Sequence, residues 1–267
     1  AESAYDGSGV VVAVIDSGIT EHRDLRNRVV ASVDFVNRVN FGLDLYGHGT
    51  HMAGIIAGNS RVPAGVRGVA PGAHLINLRV MNAHGVGRTS DVIAAIDWAI
   101  ANRQRYNIRV LNLSLGHPVT QSWQDDPLCL AVEEATAAGI VVVTAAGNLG
   151  KTSDGKAIVA GIVAPGNAPS VITVGATNAK GTAVRSDDVM ATYSSRGPTH
   201  IDRIVKPDLV APGNKLQSLA APFSKLTAKY PELVSGSGLW RTLTLSGTSQ
   251  SAAVVAGAAA LLLEANP

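Results

Sequence analysis

Continuous apolar runs, not alternating ones, set the pattern of this chain. Gly9-Val-Val-Val-Ala-Val-Ile15 is followed by His74-Leu-Ile-Asn-Leu-Arg-Val80, Arg109-Val-Leu-Asn-Leu-Ser114, Ile140-Val-Val-Val-Thr144 and Ser170-Val-Ile-Thr-Val-Gly175. A strand that is apolar on both sides belongs in a sheet covered on both faces. Between these runs the period changes to that of a helix. Val92, Ile93, Ile96 and Ile100 share one broad face of a helix expected over Ser90 to Asn102, with Ser90 as its cap and Asp91 in its first turn. A second helix is expected from Pro127 to Ala138, stopped by Gly139 in a left-handed C-terminal cap. The mixed segment Val29 to Phe41 carries a further short strand. Ala191 to Pro198 and Lys206 to Gly213 read as short strands broken by turns. Strand and helix in alternation predict an α/β fold: a mostly parallel twisted sheet with helices on both faces, in three layers. Without internal repeat, low-complexity tract or linker, residues 1–267 are expected to form one domain.

The last apolar stretch differs from the others. Thr244-Leu-Ser-Gly-Thr-Ser-Gln-Ser251 leads into small and aliphatic positions that continue to Leu263, so a short extended run turns at Gly247 into a buried helix. Its apolar part, Ala252 to Leu263, falls short of the roughly 20 residues that span a bilayer, and a core helix is expected. At the other end Ala1-Glu-Ser-Ala-Tyr-Asp6 has neither a basic start nor an apolar core, so it is not read as a leader.

Composition narrows the classes. With 46% hydrophobic and 16% charged residues the chain is neither disordered nor fibrous. A net charge of +2 without a Lys/Arg cluster gives no nucleic acid a surface to bind. The single cysteine, Cys129, lies in an apolar run and is expected to pack as a buried thiol.

Four polar residues fall at the ends of these elements. Asp16 closes the first apolar strand, at the carboxyl end where open α/β sheets bind ligands. His48 leads a helical stretch of small residues within Gly47-His-Gly-Thr-His-Met-Ala-Gly54. Asn148 follows the strand Ile140 to Thr144, and Ser249 stands at or just before a helix N-terminus. A serine there is either an ordinary cap or a nucleophile, since free N-H groups at a helix start favour negative charge. A nucleophile needs a base, which neutral imidazole supplies near physiological pH, and an aspartate on the other ring nitrogen fixes the tautomer. An asparagine amide can stabilise the oxyanion. His48 and His51, three apart, could instead share a metal, but no further Cys, His or Glu stands at ligand spacing.

Val-Ala-Val-Ile-Asp16-Ser-Gly, Gly-His48-Gly-Thr-His, Ala-Ala-Gly-Asn148 and Ser-Gly-Thr-Ser249, in that order, resemble the subtilisin-like serine proteases, the subtilases. Tyr193-Ser-Ser-Arg-Gly-Pro198 and Lys206-Pro-Asp-Leu-Val-Ala-Pro-Gly213 resemble framework segments of the same family, and the likeness runs from about Gly9 to the end. It implies a serine endopeptidase with Ser249 as nucleophile, His48 as general base, Asp16 as orienting carboxylate and Asn148 as oxyanion donor. It also implies that substrate binds as an extended strand between Gly85, Val86 and Gly87 on one edge and Ser114, Leu115 and Gly116 on the other, with Leu115 and Val92 lining an apolar pocket four residues before the scissile bond. The first edge reads equally as a plain turn.

The sequence departs from the family at three places. Gln250-Ser-Ala-Ala-Val254 stands where Met-Ala-x-Pro-His is usual. An insertion of about 222–240 precedes the serine, either a flap or contact for another domain or a tolerated surface loop. The chain stops soon after the serine helix, where relatives add further elements. No cofactor is needed for the chemistry, and the structural calcium common in the family has no evident place. Asp44 is one candidate ligand and otherwise a solvated or substrate-facing carboxylate, and the loop Asn59 to Gly65 is without an acidic residue. The resemblance implies polypeptide substrates, a pro-region or flanking domain as partner, no nucleic acid or membrane, and a secreted or periplasmic home. Two other readings stand beside it: a non-catalytic or self-processing module of a larger protein, and a serine-carboxyl peptidase that would not use His48.

Overall fold

The computed structural model describes residues 4–39 and 42–267. In chain order its elements are β1 (Val11–Asp16), β2 (Val29–Asp34), α1 (His48–Ala57), β3 (His74–Arg79), α2 (Thr89–Tyr106), β4 (Ile108–Leu113), α3 (Pro127–Ala137), β5 (Val141–Ala145), β6 (Ile172–Asn178), β7 (Val189–Met190), β8 (Leu209–Pro212), β9 (Leu216–Leu219), α4 (Lys225–Lys229), β10 (Val234–Ser235), β11 (Thr242–Leu245) and α5 (Thr248–Ala265). They fall into two compact units. The first holds the residues up to Asn112 with Gln217–Thr244 and Ala256–Pro267, and the second holds Leu113–Leu216 with Leu245–Val255.

In the first unit the strands lie in the order β2-β3-β1-β4. β3 pairs in parallel with β1 on one side, Asp16 opposite Arg79, and with β2 on the other. All six residues of β1 are buried, as a strand covered on both faces requires. Val12, Val14, Ile15, Ile76, Leu78, Met52, Ile56 and Ile96 have no accessible surface and form its core. Each such side chain contributes about 1.5–3 kcal/mol relative to exposure. A small antiparallel sheet, β10-β11-β9, belongs mainly to the same unit.

In the second unit β6 pairs in parallel with β5 and β8 and antiparallel with β7. Leu128, Cys129, Val132, Val143 and Val174 are its buried centre. Cys129 packs as expected, its thiol donating to Asn167 Oδ1 at 3.2 Å, and burial pushes its pKa up to about 12. The α/β class with mostly parallel pairing is therefore what the apolar runs foretold.

Three expectations need correction. α2 begins at Thr89 after Arg88, whose side chain makes no cap, so Ser90 is inside the helix and not its cap. Ala191 to Pro198 is turn and loop, with the neighbouring strand confined to Val189–Met190, because Ser, Gly and Pro leave few residues to hold a ladder. α5 is 18 residues long and so exceeds its apolar stretch; it is as long and apolar as a short membrane span, and half of it is buried within the fold, as for a core helix. Asn40 and Phe41, at the end of the expected second strand segment, and Ala1 to Ser3 of the leading stretch lie outside the described residues.

Candidate active site

Asp16 and His48 are brought together in the first unit. Asp16 is the last residue of β1, and its backbone carbonyl accepts Val80 N at 2.8 Å where β3 ends. His48 is the first residue of α1. Its Nδ1 lies 2.9 Å from both Asp16 Oδ1 and Oδ2. An ionised carboxylate can only accept, so Nδ1 carries the proton and Nε2 keeps a lone pair for a substrate-side proton. Ser17 N donates to Asp16 Oδ1 at 2.7 Å.

So close an approach of helix to strand depends on Gly49. A Cβ there would stand 2.1 Å from the Gly18 carbonyl oxygen, a separation no side chain tolerates against backbone, and a tight 3.1 Å from Asp16 Cβ. The Gly-His-Gly motif is thus a packing requirement as well as a signature.

His48 is 16% exposed. Burial works to lower its pKa, but the charge of Asp16, the hydrogen bond to it and the charge of Asp44 outweigh burial and hold it above 6.5.

Ser249 and Asn148 belong to the second unit. Ser249 is the second residue of α5, and its hydroxyl donates to Ser114 O at 3.1 Å, while Ser114 Oγ donates to Ser249 O at 3.0 Å. Asn148 Oδ1 accepts from Thr248 N at 3.0 Å and Thr248 Oγ1 at 3.2 Å. Two donors on that atom identify it as the oxygen and leave Nδ2 free to donate elsewhere. The turn bearing Asn148 is clamped on both sides by Ser195: its N donates to Gly147 O at 2.9 Å, and its Oγ accepts Leu149 N at 3.0 Å. The segment Tyr193 to Pro198 therefore supports the turn that carries Asn148, a role its sequence did not disclose.

Gln250 is 2% exposed, and its Oε1 has no hydrogen-bond partner among the described residues. A Cβ on Gly247 would meet that oxygen at 2.8 Å and Asn148 Nδ2 at 3.4 Å, so the unusual residue at 250 faces the Gly247–Asn148 corner.

The two candidate substrate edges lie one in each unit. Gly85, Val86 and Gly87 form a tight turn on Asn82, whose Oδ1 accepts His84 N at 2.8 Å and Val86 N at 3.2 Å; Gly87 bridges back to Met81. Gly85 has φ +74°, and the Tyr46 ring lies 2.5 Å from where its Cβ would be. Val86 is 62% exposed. Ser114, Leu115 and Gly116 follow or close the end of β4, with Ser114 buried, Leu115 half-buried and Gly116 exposed.

Asp44 is neither solvated nor substrate-facing. It is 1% exposed, and its carboxylate accepts Ser17 Oγ at 2.7 Å, Gly47 N at 2.6 Å and Thr50 N at 2.8 Å. Burial pushes its carboxyl up, and these donors hold it back. A hard cation needs free oxygens, so this carboxylate does not fit calcium. Asp24, beside the loop Asn59 to Gly65, is likewise taken by Val66 N at 2.9 Å. The ring of His51 is engaged elsewhere, its Nε2 lying 2.9 Å from Leu243 O, and among the described residues no group of three or more His, Cys, Asp or Glu is placed to hold a metal.

The insertion is packed onto the loop before α1. Lys225 N and Leu226 N donate to Leu45 O and Tyr46 O at 2.9 and 3.0 Å, just ahead of His48.

The family model described as Peptidase S8, the subtilase family, matches residues 7–267. The chain belongs to the subtilase family. It is similar to serine protease AprX of Bacillus subtilis (strain 168), 41% identical over 271 residues, which covers 98% of this chain and 58% of AprX. Subtilisin DY of Bacillus licheniformis is 37% identical over 265 residues, covering 98% of this chain and 80% of that protein. Among solved structures, a cold-adapted subtilisin-like serine proteinase matches with TM-score 0.74 and 32% identity over 99% of this chain and 79% of that one. Sphericase matches with TM-score 0.80 and 30% identity over 100% and 81%. The chain thus spans little more than half the length of AprX, and this subtilase domain is the part the two share.

Proposed function

We propose that this subtilase domain is a serine endopeptidase. Ser249 Oγ attacks the peptide carbonyl as His48 Nε2 takes its proton, the Asn148 amide donates to the oxyanion, the C–N bond breaks as His48 passes that proton to the leaving amine, and the acyl-enzyme is then hydrolysed by water that His48 activates in turn. The observation that carries the reading is the Asp16–His48 contact, with Nδ1 at 2.9 Å from the carboxylate, in a chain that also holds Ser249 at the start of α5. No cofactor enters this chemistry.

Polypeptide in extended form is the substrate class. Its backbone would add to the edges at Gly85 to Gly87 and Ser114 to Gly116, with Leu115 and Val92 favouring an apolar residue four before the scissile bond. A pro-region or flanking domain is a further partner of this reading, as are export to the periplasm or medium and the absence of nucleic-acid and membrane partners.

The test is labelling by a fluorophosphonate serine probe together with casein hydrolysis, for the chain and for Ser249→Ala. Both signals are expected in the chain and neither in the variant. A folded chain that neither labels nor cleaves would overturn the peptidase reading in favour of a non-catalytic module. Activity confined to acid pH and insensitive to His48→Ala would instead point to a serine-carboxyl mechanism.

A further inference from the structure

The Asp16–His48 pair sits on two elements that meet edge-on, the carboxyl end of β1 and the first turn of α1. Neither element alone fixes their separation. Gly47, which precedes α1, offers no side-chain cap, so the free N-H groups of the first turn need another acceptor.

Asp44 supplies it. Its Oδ1 takes Gly47 N at 2.6 Å and its Oδ2 takes Thr50 N at 2.8 Å, one residue before and two after His48. The same Oδ1 takes the Ser17 hydroxyl at 2.7 Å, and Ser17 Oγ accepts Gly49 N at 3.0 Å. Ser17 is the neighbour of Asp16 and gives its N-H to Asp16 Oδ1. A second bridge closes the loop: Asp44 N donates to Thr20 Oγ1 at 3.1 Å, and Thr20 N donates to Thr50 Oγ1 at 3.0 Å. Three amides around His48 and the residue beside Asp16 therefore converge, directly or through one hydroxyl, on one buried carboxylate. At 1% exposure Asp44 is open to no substrate and no solvent ion.

We propose that Asp44 is a positioning residue for the catalytic pair: its carboxylate pins the first turn of α1 to the end of β1 and so sets the imidazole against Asp16. The inference rests on the peptidase reading for its kinetic consequence, but its geometric content does not. A displacement of about 1 Å in a reacting group can cost on the order of 10²-fold in rate. Asp44→Asn keeps the shape and one acceptor oxygen but presents an NH₂ to a ring of donors. The charged and titratable groups that face His48 are Asp16 from β1, and Asp44 and Tyr46 from the segment before α1, the Tyr46 ring centroid 6.5 Å away. Removing the Asp44 charge takes away one of the influences that favour imidazolium.

The experiment compares Asp44→Asn and Ser17→Ala with the parent chain. Turnover is counted per probe-labelled site. The His48 Cε1–H titration is followed by NMR in the Ser249→Ala background, where no turnover is needed. Asp44→Asn is expected to lower kcat by about 10- to 100-fold with KM within about two-fold, and to move the His48 titration to lower pH. Ser17→Ala, which keeps the charge but cuts one bridge, should lower kcat less and leave the titration nearly in place. A folded Asp44→Asn with parental kcat and parental titration overturns the proposal. So does one that loses thermal stability alone, since Asp44 would then be only a helix cap. If Asp44→Asn does not fold, Ser17→Ala decides, and unchanged kcat per site overturns it. A parent chain that fails to label defeats the peptidase reading, and the NMR titration still judges the positioning of His48.

Discussion

At the scale of single residues, His48 carries two opposing consequences of one shift. Its pKa is held above 6.5 chiefly by Asp16, against burial. On the peptidase reading His48 must be neutral to act as base, so kcat/KM is expected to rise with pH along a limb lying above 6.5, and Asp16→Asn should move that limb to lower pH while cutting kcat. A pH profile of both proteins checks this; a limb that stays in place in Asp16→Asn would contradict it. Stability runs the other way. A raised histidine pKa stabilises the fold fully below the unfolded value and loses that contribution as pH climbs through the folded value. On the peptidase reading the pair therefore stabilises most where activity is lowest. The role proposed for Asn148 is simpler, for its oxygen is held by Thr248 and its amide nitrogen is left to donate. In subtilisin, loss of a side-chain oxyanion donor lowers kcat about 10²–10³-fold. That figure was measured on the relative and is not calculated from this geometry. The same order is expected of Asn148→Ala, with KM nearly unchanged, in steady-state assays on a peptide anilide.

At the scale of elements, what the sequence reveals depends on whether a residue's partner is near in the chain. The places of Asp16, His48 and Ser249 at element ends are legible because each stands where an apolar run stops or starts, and an element end is visible in the run itself. Asp44 is not, because a lone carboxylate in a polar loop looks solvated until Gly47, Thr50 and Ser17 are folded around it. The clamp of Ser195 on the turn of Asn148 hides for the same reason, its Oγ and Leu149 N being 46 residues apart. Helix starts show the contrast most sharply. Ser90 has the right residue type and sits inside α2, whereas Asp126, followed by Pro127, is a true cap: its Oδ1 accepts Leu128 N at 2.9 Å and Cys129 N at 3.2 Å. Asp126 is buried, so Asp126→Ala is expected to cost about 1–2 kcal/mol and roughly 2–8 °C in Tm. Thermal unfolding in the Ser249→Ala background, free of self-digestion, checks it. An unchanged Tm would mean that the α3 start is held by its packing alone.

At the scale of the whole molecule, the units are not contiguous in sequence: the chain passes from one to the other after Asn112, Leu216, Thr244 and Val255. No composition shift marks those points, and no reading of linkers could have found them. α5 begins in the second unit with Ser249 and finishes in the first, where Glu264 Oε2 accepts Asp6 N at 2.9 Å and Gly7 N at 2.6 Å. This contact joins residues 257 and 258 positions apart, so it closes nearly the entire chain at the far end of the helix that begins beside Ser249. Hydrogen bonds to a charged group are worth about 1.5–3 kcal/mol, and Glu264 is partly open to water, so Glu264→Ala should cost about 1–2 kcal/mol. Glu264→Gln keeps an acceptor and should recover part of the loss. Ser249 lies about fifteen residues away along α5, roughly 22 Å at about 1.5 Å per residue, so kcat per labelled site should not change. Hydrogen exchange at the Asp6 and Gly7 amides is the direct measurement. Faster exchange there, with turnover intact, is the expected result; unchanged protection would show that the segment before β1 is held without Glu264, and a fall in turnover would show that strain at the end of α5 reaches its first turn.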